Sequence, residues 1–131
     1  MKGKLPGEPG AVPTKGEMEV LQVLWQHGPS TVRFVHDTLN TDRKAVQYTS
    51  TLKLMQVMAE KGLLDRDESQ MKHVYHARLA EGKTKKAMLE QFVDTIYNGS
   101  PSSLMLALLD TKTSGAELEK IKELLKKMEG E

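Results

Sequence analysis

Apolar residues recur at helical spacing from Met18 onward: Met18, Val20, Leu21, Val23, Leu24 and Trp25. They follow Thr14-Lys15-Gly16-Glu17, which fits a capping box, the hydroxyl accepting from the third residue's amide while the glutamate reaches back. Gly28-Pro29 stops this first helix. Ser30 or Thr31 can cap a second, in which Val32, Val35 and Leu39 share one face. Asn40-Thr41-Asp42 reads as a polar turn. A third helix spans about residues 46–61 and ends at Gly62, the residue type that most easily takes a left-handed cap.

After Gly62 the pattern changes. Leu63-Leu64-Asp65-Arg66 and Lys72-His73-Val74-Tyr75-His76 predict two short strands around a polar tip, leaving open which of Val74 and Tyr75 faces inward. From about residue 81 the spacing is helical again. Met88, Phe92 and Ile96, with Leu89, Val93 and Tyr97 beside them, form a wide apolar stripe over about residues 83–98. Asn98-Gly99-Ser100-Pro101 breaks it. A short, very apolar helix at 102–110 carries Leu104, Met105, Leu106, Leu108 and Leu109. Ser114-Gly115-Ala116-Glu117 is a second capping-box match, opening a last helix to about Glu129 with Leu118, Ile121, Leu125 and Met128 on one face.

Three helices and then a hairpin predict a mainly α fold with a small β-hairpin: a winged helix-turn-helix DNA-binding domain over residues 14–80. A flexible arm at 1–13, rich in proline and glycine, precedes it, and a helical dimerisation domain at 81–131 follows. In this arrangement the third helix is offered to the major groove, where only its exposed face meets base edges. Leu54, Met55 and Met58 are expected to pack inward. Thr49, Lys53, Gln56 and Glu60 fall on another face, with Ser50 beside them. Tyr48, Thr49, Ser50, Lys53 and Gln56 are therefore candidate DNA contacts, with Arg43 and Lys44 in the turn and Arg66 and Lys72 in the wing as candidate phosphate contacts. A polar stripe alone is more often a wetted helix face; its place on the third helix, just before a wing, turns the reading toward DNA.

Composition bears on this unevenly. The net charge of +1 is small for a nucleic-acid partner. Residues 1–80 hold 11 Lys and Arg against 9 Asp and Glu, and residues 81–131 hold 8 against 9, an asymmetry in the right direction but slight. No apolar run approaches the roughly 18 residues of a membrane span, and no signal peptide is evident, so a cytoplasmic protein without membrane insertion is expected. The 131 residues contain no cysteine, which excludes disulfides, thiolate metal sites and cysteine nucleophiles. His73 and His76 would lie on opposite faces of a strand, poor chelate geometry, so neither metal nor cofactor is expected. Nothing resembles a phosphate-binding glycine loop or a catalytic carboxylate pair, so an enzyme is not expected. The alternative kept alive by the low charge is a winged-helix module that binds protein and not DNA.

The last two helices carry more large aliphatic side chains than so short a segment can bury alone. Pairing of two chains through Leu104, Leu108, Leu118, Ile121, Leu125 and Met128 would cover them, and a two-fold dimer suits a two-fold operator.

From about residue 13 to 128 the chain resembles the penicillinase and methicillin-resistance repressors. Three stretches carry the likeness. Residues 17–25, Glu-Met-Glu-Val-Leu-Gln-Val-Leu-Trp, look like that family's first helix. Tyr48-Thr49-Ser50-Thr51-Leu52 through Glu60-Lys61-Gly62-Leu63-Leu64 looks like its recognition helix entering the wing. Phe92-Val93, Ile96-Tyr97-Asn98-Gly99 and Ser103-Leu104-Met105-Leu106 look like its hinge and dimer segment. The resemblance implies a homodimeric repressor on a palindromic double-stranded DNA operator. It further implies release through a membrane metalloprotease sensor, whose protease action leads to cleavage in the short helix after the hinge. The matching bond is Ala107–Leu108, where relatives usually carry asparagine–phenylalanine. Leu52 and Val57 stand where the resistance repressors have arginines. A copper-responsive branch uses a C-terminal cysteine cluster, which this chain lacks.

Overall fold

The computed structural model describes residues 12–41, 46–69, 71–111 and 114–130. Helix α1, Lys15–His27, starts at a complete capping box: Glu17 N–H donates to Thr14 Oγ1 (3.2 Å) and Thr14 N–H donates to Glu17 Oε1 (2.9 Å). It buries Val20, Leu21, Val23 and Leu24 and closes on Gly28, whose φ of 84° and ψ of −171° suit glycine almost alone. Of the two possible caps for α2, Val32–Leu39, Thr31 is used, accepting from Phe34 N–H at 3.1 Å. Ser30 instead pairs with the wing, exchanging backbone hydrogen bonds with Tyr75 at 2.9 and 2.8 Å.

Helix α3, Tyr48–Glu60, buries Thr51, Met55 and Met58, while Leu54 packs half-buried against the same core. Its end is a Schellman motif. Leu63 N–H reaches Met58 O (2.9 Å) and Gly62 N–H reaches Ala59 O (3.1 Å), with Gly62 at φ 86°. The hairpin follows as β1, Leu64–Asp67, and β2, Val74–Ala77, antiparallel with Leu64 opposite Ala77 and Arg66 opposite Tyr75. The open choice in β2 falls to Tyr75, buried among Leu21, Val35, Met55, Met58 and Leu64 in one core. The strands start later than the apolar pattern suggests, because Leu63 is used to close α3, and Lys72 and His73 precede β2.

Helix α4, Glu81–Ile96, is tied to the front of the chain by Trp25, whose indole N–H donates to Leu79 O at 3.0 Å. Lys85 lies 5.8 Å from the Trp25 ring centre. Two compact units divide within α4, between Met88 and Leu89. In the second unit α4 ends at Asn98 and Gly99, both left-handed, with Gly99 N–H returning to Val93 O at 3.0 Å. Helix α5, Pro101–Asp110, starts one residue earlier than the break pattern suggests. Pro101 takes the first helical position, where its missing N–H costs nothing, and Ser100 caps Ser103 N–H. Helix α6, Gly115–Glu129, is capped by Ser114 onto Glu117 N–H. Neither α5 nor α6 has a fully buried residue. No described helix is long and apolar enough to cross a membrane.

Candidate nucleic-acid interface

The start of α3 combines two features that no other capped helix start here shares together. Its N-cap, Gln47, makes no side-chain cap, unlike Thr14, Thr31, Ser100 and Ser114. The first turns of α2, α3 and α5 hold no acidic residue, whereas α1, α4 and α6 carry Glu17, Glu81 and Glu117 there. Among the described residues, neither a side-chain cap nor a first-turn acid offsets the positive dipole end of α3, an arrangement suited to anionic oxygens.

Around this start three hydroxyl residues separate by packing. Thr49 and Ser50 are exposed, but Thr51 is buried with its Oγ1 2.9 Å from His36 Nδ1. Asn40 continues that contact across the turn: its Nδ2 lies 3.1 Å from His36 Nδ1, and its Oδ1 accepts from Val46 N–H at 3.1 Å. The turn therefore links α2 and α3 through specific hydrogen bonds, beyond the polar turn visible in sequence. Lys53 and Glu60 are exposed and Gln56 is half-buried. Arg43 and Lys44 lie outside the described residues.

Tyr48 is half-buried, its ring edge-on to His36 at 5.6 Å and covered on one face by the Arg33 guanidinium at 4.2 Å. The sequence reading missed Arg33. Its signal was available: a cation in the first turn of a helix works against the helix dipole and calls for a nearby reason. Tyr48 and Asp37, whose Oδ1 is 3.8 Å from Arg33 Nη1, are what surrounds it.

In the wing, Arg66 and Lys72 differ. The Arg66 guanidinium is held above its ordinary pKa, first by hydrogen bonding to the Tyr75 side chain and then by the charge of Glu68, with which it forms an ion pair. Lys72 is exposed and, among the described residues, enters no ion pair. Asp67 sits below the ordinary carboxylate range because the Ser69 backbone N–H donates to its Oδ1 at 2.9 Å, with the Ser69 side chain adding to the effect. His76 faces Asp65 at 3.3 Å, and Arg78 shares the same carboxylate at 2.8 Å.

Grooves run along α3. One, of about 390 Å³, lies between the start of α2, α3 and the β2 side of the wing, and includes Arg33, Tyr48, Gln56, Lys72 and His73. Another, toward the β1 side, includes Glu60, Asp65, Arg66 and Glu68. A third holds Thr49, Ser50, Lys53 and Lys61 beside Glu17.

In the second unit, Leu104, Ala107, Leu118 and Ile121 are half-buried, while Leu108, Leu125 and Met128 are exposed. Leu106 (70% exposed) and Leu124 (58%) are more open than several of the residues expected to pair, and helical spacing alone did not single them out.

Comparison with curated proteins returned no match. The sequence profile described as penicillinase repressor matches residues 13–127, nearly the full chain. With a helix-turn-helix, a wing and an open recognition-helix start already in place, the chain belongs to the penicillinase repressor family of DNA-binding transcription repressors.

Proposed function

We propose that the protein represses transcription as a homodimer on a palindromic operator, reading DNA with residues 14–80 and pairing through residues 81–131. The observation that carries this is the start of α3, where exposed Thr49, Ser50 and Lys53 surround a helix end with neither cap nor acid. Tyr48 and Gln56 flank that face, and Lys72, with Arg43 and Lys44, adds phosphate contacts. Arg66 enters with its guanidinium already paired with Glu68. Pairing through Leu104, Leu108, Leu118, Ile121, Leu125 and Met128 is supported by the absence of any fully buried residue in α5 and α6. A second chain supplies what these aliphatic residues lack.

Release follows from proteolysis at Ala107–Leu108, with the protease belonging to a membrane sensor system and the repressor itself cytoplasmic. A protease needs an extended segment, and a helix of 10 residues with no fully buried side chain opens locally at little cost. Cutting there detaches α6, so the two half-sites lose the advantage of a tethered pair.

Fluorescence anisotropy with a duplex from upstream of the protein's own gene, over a salt series, tests the binding reading. Tight, steeply salt-dependent binding is expected; no binding at low salt refutes it and favours a protein-binding module. Intact-mass measurement on protein from derepressed cells tests release, where full-length chain alone rules cleavage out.

A further inference from the structure

We infer that one DNA backbone strand lies in the groove between α2, α3 and the β2 side of the wing, with Arg33 as its phosphate anchor. The inference rests on the DNA-binding reading above and adds the side of the wing that faces the duplex.

Charge separates the two wing-side grooves. The groove beside β2 brings together Arg33, Lys72 and His73 with the hydroxyl of Tyr48 and the amide of Gln56, and no Asp or Glu lines it among the described residues. The groove beside β1 carries Glu60, Asp65 and Glu68, and its one cation, Arg66, is paired with Glu68. A polyanion is attracted to the first and repelled by the second. Gln56 lines both, so the boundary between them runs along α3 itself.

Arg33 is the group in the favoured groove best prepared to hold a phosphate. Its guanidinium lies 4.2 Å from the centre of the Tyr48 ring, a stacked arrangement that restrains the planar fork while leaving its edge donors for oxygen. The Asp37 pair that competes for it is long, at 3.8 Å, and both side chains are more than 60% exposed, so a phosphate displaces it readily. Arg33 also stands at the start of α2, where N–H groups add to the same positive end. A cation there costs helix stability in the free protein; bound phosphate removes that cost.

The test uses full-length protein and the same upstream duplex. Arg33→Ala is expected to flatten the salt dependence by about 0.9 per protomer, or about 1.8 per dimer. The affinity gap to wild type then narrows about twelvefold between 50 and 200 mM salt. Arg33→Lys keeps most of the slope, since it keeps the charge, and binds more weakly than wild type because the fork is gone. Arg66→Ala, which removes a guanidinium already paired with Glu68, flattens the slope less than Arg33→Ala does. Melting of Arg33→Ala, followed by Trp25 fluorescence, is expected to be unchanged or raised. Wild type that binds while Arg33→Ala keeps the full slope overturns this inference alone. Equal flattening by Arg33→Ala and Arg66→Ala overturns the placement on the β2 side. Wild type that binds no duplex overturns the DNA reading and this inference with it.

Discussion

Replacing Glu17 tests how the front unit holds its recognition helix. The Glu17 side chain is 5% exposed and its carboxylate works twice: Oε1 accepts Thr14 N–H at 2.9 Å, and Oε2 accepts Lys61 Nζ at 2.7 Å. The first contact caps α1. The second crosses 44 residues of sequence and pins the end of α3 to the start of α1. Losing the reciprocal arm of a capping box costs about 1 kcal/mol. The Lys61 contact is weighed by solvent. Its side chain is 41% exposed, so the pair is partly screened and about 1 kcal/mol is the reasonable upper end.

Glu17→Ala therefore removes about 2 kcal/mol, which lowers the melting temperature of a unit this size by about 8–16 °C. Glu17→Gln keeps an acceptor for Thr14 and loses the charge, so it is expected to cost about half as much. Trp25, the one tryptophan of the chain, belongs to the front unit and reports its unfolding by fluorescence. A double-mutant cycle of Glu17→Gln with Lys61→Ala should give a coupling of about 1 kcal/mol. Coupling near zero, or Glu17→Ala melting within 2 °C of wild type, taken as roughly the span of a negligible effect, refutes the argument.

Four further outcomes are expected. Lys53→Ala flattens the salt dependence of DNA binding by about one unit per protomer and leaves melting unchanged; a lowered melting temperature with intact binding would show a packing role instead. Truncation after Asn98 yields a monomer by sedimentation with native Trp25 fluorescence, and a dimeric product would contradict pairing through α5 and α6. Gly28→Ala forces a side chain into φ 84°, ψ −171°, where no clash arises and the cost is backbone strain, about 1–3 kcal/mol in a denaturant titration; unchanged stability counts against it. The Asp67 carboxyl is depressed by Ser69, so its contribution is present above the ordinary value of 3.8 and fades as pH falls through the lower folded value. Protection of the Ser69 amide should follow that titration and disappear in Asp67→Asn; a Ser69 amide indifferent to pH would contradict the contact.

What sequence revealed and what it concealed divide by distance along the chain. The capping box at Thr14 and the Gly62 turn are written in residues within one turn of each other, so local chemistry suffices to find them. The order of three helices and a hairpin is legible for the same reason. Partners far apart carry no such mark. Lys61 on Glu17, Leu79 on Trp25 and Ser30 on Tyr75 are each set by how elements pack, and a one-residue difference in strand register decides between Val74 and Tyr75. The hydroxyls of Thr49, Ser50 and Thr51 are chemically alike, and only the placement of His36 makes Thr51 structural. Arg33 shows in sequence only as a cation out of place in a first turn, and its partner Tyr48, on another helix, comes from packing.

Screening by salt makes the small net charge compatible with a DNA partner. At physiological salt, exposed charges are screened beyond about 8 Å, so a phosphate responds to its immediate neighbours and not to the whole-chain sum. Several carboxylates of the front unit are already balanced within it: Glu17 by Lys61, Glu68 by Arg66, Asp65 by Arg78, and Glu81 by Lys85. Each pair removes one cation and one anion from the field without altering the total. Lys53 and Lys72 enter no ion pair among the described residues, and the one pair of Arg33 is long. Those three define a cationic path past the start of α3, while Glu60, Asp65 and Glu68 collect toward β1. A chain of charge +1 can therefore present a locally basic surface to DNA, and the repelling side opposes docking in the reversed orientation.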